Sequence, residues 1–231
     1  MREISSLFKP PAFIINFHGI GEAQRAVDVS ERPYWVSVDQ FKEVIDFLTE
    51  IREHAGIAIT FDDGNVSDLE VAAPILTLAG WPFMSFVLAG RVGQKGYLDY
   101  ARMRELQNMN CNIGLHGMQH RDWTLLNDEE MHEETSVARK LLEDSLGRRI
   151  NSVAVPFGKY NRRVLRILAH SGFERIFTSD RGVRLFDGVV QPRYSVTNQS
   201  SPRSIGVYIE ASRRLRARLV SEARFWSKSC L

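Results

Sequence analysis

The chain has 231 residues, 44% hydrophobic and 25% charged, with 30 Lys and Arg against 28 Asp and Glu for a formal net charge of +2. This composition excludes intrinsic disorder and a small disulfide scaffold, and the length suits one large domain with a sizeable core. Nearly balanced charge gives no reason to expect a general nucleic-acid binder.

From the N-terminus, Met1–Phe17 offers only a short apolar run, Ala12–Phe17, broken by Asn16 and lacking a small-residue cleavage site, so it does not read as a leader. No stretch approaches the ~20 apolar residues of a membrane span, and the expectation is a cytoplasmic protein. Cys111 and Cys230 stand far apart without a CxxC, as free thiols in a reducing compartment would. Predicted strands lie at Ala12–Phe17, Ile57–Phe61, Met84–Leu88, Asn112–Leu115, Ser152–Val155, Arg175–Thr178 and Arg193–Thr197, several of them apolar on both faces as buried parallel strands are. Helices lie between them. Ser37 with Gln40 and Ser67 with Glu70 read as capping boxes and Asn127 with Glu130 as a variant, while Gly147 and Gly172 fall at helix ends. The helix opened by Ser37 places Phe41, Val44, Ile45, Leu48 and Ile51 on one face. The alternation predicts an α/β fold, a deformed (β/α) barrel of about seven parallel strands, as one domain over residues 1–231 with 203–231 a basic helix packed on it.

In such folds the carboxyl ends of the strands carry the chemistry. His18 comes after the first strand, Asp62 and Asp63 after the second, His116 and His120 after the fourth, and Pro156-Phe157-Gly158 after the fifth. Adjacent carboxylates beside a core call for a cation, although Asp-Asp-Gly also serves as a plain turn cap. His116 and His120 have the spacing of a zinc-binding helix, but the Glu of HExxH is missing and Gly117 argues against a helix. Two imidazoles on a strand end and its loop, with one Asp, make a three-ligand set for Zn²⁺ or a similar ion with a position left for water. His18 is either a backbone-bonded core histidine or a functional one. His54, His132 and His170 read as solvated or structural.

These residues together resemble the NodB-homology polysaccharide deacetylases, the carbohydrate esterase family 4 type, from about Phe13 to Thr197. Thr60-Phe61-Asp62-Asp63-Gly64 matches the first motif, His116-Gly117-Met118-Gln119-His120 the second and Val155-Pro156-Phe157-Gly158 the third. Gly80-Trp81-Pro82-Phe83 leading into Ser85-Phe86-Val87 is similar to the third-strand region, and Thr178-Ser179-Asp180-Arg181-Gly182 to the family's segment after the sixth strand. The resemblance implies that Asp63, His116 and His120 hold a divalent metal, usually zinc, with cobalt, nickel or manganese as alternatives. It implies Asp62 as general base and the backbone N–H of Phe157, within Pro156–Gly158, as oxyanion donor. Two departures stand out: Ala154 occupies the place of the third-motif Arg, and no histidine comes after His170 to serve as the acid. Phe17-His18 is similar to an element of the exopolysaccharide deacetylases with permuted motif order, which makes His18 the acid candidate. Arg193, in Pro192-Arg193-Tyr194, is the candidate replacement guanidinium, or else a surface or strand-bracing Arg.

The implied activity is hydrolysis of acetyl groups from N-acetylated sugars of a polysaccharide, oligosaccharide or glycan precursor. An amidase of the same fold and an inactive glycan-binding module are the alternatives. Trp35 and Trp123 could stack on sugar rings or pack in the core. Arg213, Arg214, Arg216, Arg218 and Arg224 form either a solvated helix face or a peripheral contact with an anionic membrane. Oligomeric state is open.

Overall fold

The computed structural model describes residues 12–52, 56–183 and 188–213, together with positions 223 and 227. In chain order the elements are β1 (Ala12–Phe17), β2 (Gly19–Ile20), β3 (Trp35–Val36), α1 (Val38–Ile51), β4 (Gly56–Phe61), α2 (Ala73–Leu78), β5 (Phe83–Val87), α3 (Tyr100–Asn108) and β6 (Cys111–Leu115). Next come α4 (Asp128–His132), α5 (Ala138–Leu146), β7 (Ser152–Ala154), α6 (Arg162–His170), β8 (Arg175–Thr178), β9 (Val190–Pro192), β10 (Tyr194–Ser195) and α7 (Pro202–Arg213). All pairings in the main sheet are parallel, in the order β10-β1-β4-β5-β6-β7-β8-β9.

The two edge strands of that sheet, β9 and β10, are separated in the chain by Arg193 alone. One bent segment therefore pairs with β8 on one side and β1 on the other, nearly closing a barrel of eight strands, or seven if the bent segment counts as one. The predicted strand Arg193–Thr197 was placed too late, because a charged residue at the bend hid the apolar run before it. At the bend, Arg193 N–H donates to the Thr178 carbonyl at 3.0 Å and Val196 N–H to that of Asn16 at 2.8 Å. The small β2–β3 sheet was not anticipated; two-residue strands carry no periodicity to detect.

Alternation along the strands sorts side chains into two layers. Phe13, Ile15, Phe17, Ile57, Ile59, Phe61 and Phe83 point outward to the helices, and α1 buries Phe41, Val44, Ile45 and Leu48 against them. Each such side chain contributes about 1.5–3 kcal/mol relative to solvent exposure. Inside the barrel a smaller cluster of Ile14, Ala58, Met84, Phe86, Ala154 and Phe177 fills the lumen. Gly114 is required there, since a Cβ would lie 2.5 Å from the Phe86 ring.

The helix starts agree only in part with the capping signals. Ser37 Oγ accepts from Gln40 N–H, but the Gln40 amide reaches the Thr197 and Ser200 carbonyls instead of closing a box. Asn127 and Glu130 form the full reciprocal box. Ser67 is no cap: it is already helical, its Oγ accepts from Ile20 N–H, and Asp68–Ala72 begins as wide π turns. Gly147 ends α5 in the left-handed conformation at φ 64°. Beside α1, α7 buries Ile205 and Ile209. His54, Cys230 and the tail arginines Arg214, Arg216, Arg218 and Arg224 lie outside the described residues. No helix among the described residues is long and apolar enough to cross a membrane.

Candidate active site

The inward-facing file of each strand ends in polar residues. On β1 the file Ile14, Asn16 leads to His18, and on β4 Ala58, Thr60 leads to Asp62, so the same alternation that fills the lumen also delivers the site to its carboxyl-terminal mouth. Asp62 is 3% exposed, and both its oxygens accept from Arg193 at 2.7 Å. Asn16 Nδ2 donates to the same carboxylate at 3.0 Å, while Asn16 Oδ1 accepts from Thr60 Oγ1 and from Arg193. Arg193 is fully buried, its guanidinium 5.3 Å over the Phe86 ring and 5.8 Å over that of Phe177. Burial opposes ionisation of Asp62, but the Arg193 guanidinium, with His116 and His18 behind it, outweighs burial and holds the carboxyl well below its ordinary range.

Asp63 turns the other way, in the left-handed region at φ 76°. Its Oδ1 is buried without a hydrogen-bond partner, 3.6 Å from His116 Nε2 and 3.8 Å from His120 Nε2. Among the described residues, one ligand atom from each of these three side chains lies within 4.8 Å of the other two. His116 Nδ1 lies 2.9 Å from the Ala154 carbonyl, which can only accept, so this ring nitrogen carries the proton and Nε2 presents its lone pair to the cluster. Burial pushes His116 down to about 3, keeping it neutral. It also lowers His120. Asp63 is pushed up to about 6, chiefly by burial and, against the charge of His18, by that of Asp62. An orphaned carboxylate oxygen facing two neutral imidazole lone pairs fits a divalent cation, and nothing else among the described residues satisfies it.

His120 and Phe157 also have positive φ, 57° and 58°, and their rings lie 4.3 Å apart. Left-handed backbone at three non-glycine residues of one site stores strain of order 1 kcal/mol or more each, a pattern characteristic of functional sites. His18 leans on Tyr34 at 4.8 Å, its Nε2 is 3.9 Å from Asp62 Oδ2, and its side chain is 21% exposed. Phe157 is 56% exposed at the rim. It borders a cavity of about 390 Å³ with Thr124, Gly158, Lys159, Tyr160, Ser179 and Asp180. Pro156 is buried beneath, and Gly158 packs so closely that a Cβ would lie 2.7 Å from Ser179.

The model of the family described as polysaccharide deacetylase matches residues 50–176. The chain belongs to this family. The Bacillus subtilis protein named "Putative polysaccharide deacetylase YxkH" is 25% identical over 157 residues, 67% of this chain and 56% of YxkH; the match thus spans little more than half of that relative. Among solved structures, the Streptococcus pyogenes deacetylase PplD in complex with acetate is similar at TM-score 0.73 and 19% identity, covering 86% of this chain and 97% of PplD. IcaB from Ammonifex degensii is similar at TM-score 0.70 and 21% identity, covering 87% and 97% respectively. These likenesses establish the deacetylase barrel.

In this member of the family, Asp62, Asp63, His116, His120 and Phe157 fall inside the matched span, whereas His18, Asn16 and Arg193 lie outside it. The fold brings all of them to one mouth, with Phe157 joining through its ring against His120. The surface alternative for Arg193 is excluded by its complete burial, and its guanidinium engages Asp62 and, through Nε, the Thr178 carbonyl at 3.3 Å. Neither tryptophan is a sugar platform: Trp123 is fully buried, and the Trp35 ring is seated on Gly19, where a Cβ would lie 2.2 Å away, with Arg25 over it at 5.8 Å. His132 and His170 are exposed, as expected. Asn16 and Thr60 escaped the sequence reading, although polar residues at inward positions of strands otherwise apolar on both faces were a usable signal. The Ala154 carbonyl carried no such signal, since every residue has one.

Proposed function

We propose that this chain hydrolyses the acetamide of N-acetylated sugars in a glycan, oligosaccharide or glycan precursor, with zinc as the first-choice metal. The observation that carries this reading is the buried, partnerless Oδ1 of Asp63 between the Nε2 atoms of His116 and His120, beside a second carboxylate that is separately held ionised. Asp63, His116 and His120 would hold a divalent ion, which would supply Lewis-acid polarisation of the acetyl carbonyl and a water acidified towards a pKa of ~7.

The chain's own residues do the rest. Asp62, ionised and fixed in orientation by Arg193 and Asn16, accepts the proton of the attacking water as its oxygen bonds to the carbonyl carbon. The backbone N–H of Phe157 donates to the oxyanion that develops. His18, at the mouth and within 3.9 Å of Asp62, delivers a proton to the nitrogen as the C–N bond breaks, so that acetate and a sugar amine leave. The exposed ring of Phe157 provides an apolar face for a sugar ring beside the cleft.

Two measurements test this. Elemental analysis is expected to find about one divalent ion per chain, lost in His116→Ala and Asp63→Ala. Acetate release from N-acetylglucosamine oligomers is expected from the unaltered protein and not from Asp62→Asn. A protein that binds no added metal, or equal release by both, overturns the reading.

A further inference from the structure

Glu134 lies where α4 runs on into the wide π turns of Glu133–Val137. Its neighbours Asp128, Glu129 and Glu133 are exposed, as acids on a helix surface are, but Glu134 is 2% exposed. A carboxylate so buried requires partners, and no Lys or Arg among the described residues pairs with it. Its partners are three N–H groups instead. Oε2 accepts from the Met118 backbone at 3.0 Å and from Trp123 Nε1 at 3.2 Å, and Oε1 accepts from the Gln119 backbone at 3.1 Å.

Met118 and Gln119 belong to the loop between His116 and His120. The same loop is held from its other side, because Ala89 N–H donates to the Gly117 carbonyl at 2.9 Å and Gly90 N–H to that of Met118 at 3.0 Å. Its donors thus go to Glu134 and its acceptors to the turn after β5. Gly117 is obligatory in this clamp: it stands at φ 98°, and a Cβ would lie 2.6 Å from Glu134 Oε2. The loop ends on His120 in a left-handed conformation that it does not prefer. Whatever fixes this loop therefore fixes the distance and angle between the two imidazoles.

We propose that Glu134 is a positioning residue for the metal site: it locks the Gly117–Gln119 loop so that His116 and His120 present their nitrogens together, and its charge, unpaired by any protein cation described, is balanced by the ion that they hold. This rests on the reading of Asp63, His116 and His120 as metal ligands. Outer-shell partners of ligands typically change metal affinity 10- to 100-fold when removed.

The test is the Zn²⁺ dissociation constant of the full chain, measured by competition with a chromophoric chelator, beside the stability of the metal-free protein in urea. Glu134→Gln retains at most two of the three hydrogen bonds and loses the charge; Glu134→Ala loses all of them. Both are expected to bind Zn²⁺ 10- to 100-fold more weakly while still folded, Ala more weakly than Gln, with Glu129→Gln on the exposed face unchanged. A role confined to folding would lower the urea midpoint and leave the Zn²⁺ affinity of the folded fraction as in the unaltered protein, which would overturn the proposal. If Glu134→Ala does not fold, Glu134→Gln alone decides between the two. Should the unaltered protein bind no Zn²⁺, the metal reading itself fails, and the assignment of Glu134 falls with it.

Discussion

Replacing Arg193 by Met removes a guanidinium that is fully buried and engages both oxygens of Asp62 at 2.7 Å, from a site where the carboxylate is also shut off from water. Charges about 4 Å apart at an effective dielectric of ~20 attract by about 4 kcal/mol. Losing one member of a buried pair costs about 3–5 kcal/mol, because the survivor is left charged without a partner. Asn16 keeps one hydrogen bond to Asp62, which places Arg193→Met towards the lower half of that range. Against a total stability of about 5–15 kcal/mol such a loss is large but measurable. A double-mutant cycle with Asp62→Asn isolates the pair. Urea unfolding in chelator, followed through tryptophan fluorescence, is expected to give a coupling of about 2–4 kcal/mol, with the double variant more stable than the sum of the single losses predicts. Arg193→Lys, which cannot span both oxygens, is expected to fall between and provides the arm if Arg193→Met does not fold. A coupling of about 1 kcal/mol or less, the range of exposed ion pairs, would refute the claim that Arg193 holds an ionised Asp62.

Three further outcomes are expected. Asp62→Asn lowers kcat for acetate release by about 10²–10⁴ while the bound metal content stays as in the unaltered protein, and His18→Ala lowers it similarly without loss of metal; loss of metal in either would move that residue into the ligand set. Dialysis against chelator abolishes acetate release and lowers the Tm, and both return on adding Zn²⁺, with the Tm gain rising with free Zn²⁺ concentration. Asp68 is buried with one oxygen bonded to Ser85 Oγ at 2.6 Å and the other unpartnered, and burial pushes its carboxyl well above the ordinary 3.8. Its folded state holds the proton more tightly than the unfolded chain, so this stabilisation is complete below about pH 4 and declines as pH rises towards the raised value. Asp68→Asn should therefore gain stability relative to the unaltered protein as pH rises above about 4 in urea unfolding, and a difference that does not change with pH would refute this.

The strands most legible in the sequence were those with β-branched or aromatic runs and abrupt ends: Ala12–Phe17 and Arg175–Thr178 match their elements residue for residue. The illegible features depended on long-range contacts. Ser67 has the local chemistry of a cap, yet its hydroxyl is taken by Ile20 from another part of the chain. The proposed ligand set was readable because each member sits at a strand end or one loop beyond it. Arg193 was suggested only by the gap at Ala154, and its burial could not be read from a residue type that usually seeks solvent. Glu134 was masked by the run of acids around it, which all look alike until the helix is rotated against the loop.

The bent strand at Arg193 also governs when the protein can become competent during synthesis. Asn16 and Arg193, whose side chains meet at 2.8 Å, are 177 positions apart, and β10 must find β1 across almost the same interval. Contacts so distant in sequence are slow to form. A nascent chain that has already extruded Asp62, Asp63, His116 and His120 still lacks the counter-ion of its proposed base. It also lacks the strand that shuts the barrel. Premature termination between residues 120 and 193 would thus yield a polypeptide with its proposed metal ligands but no held base, and the proposed hydrolysis could begin only after most of the chain had left the ribosome.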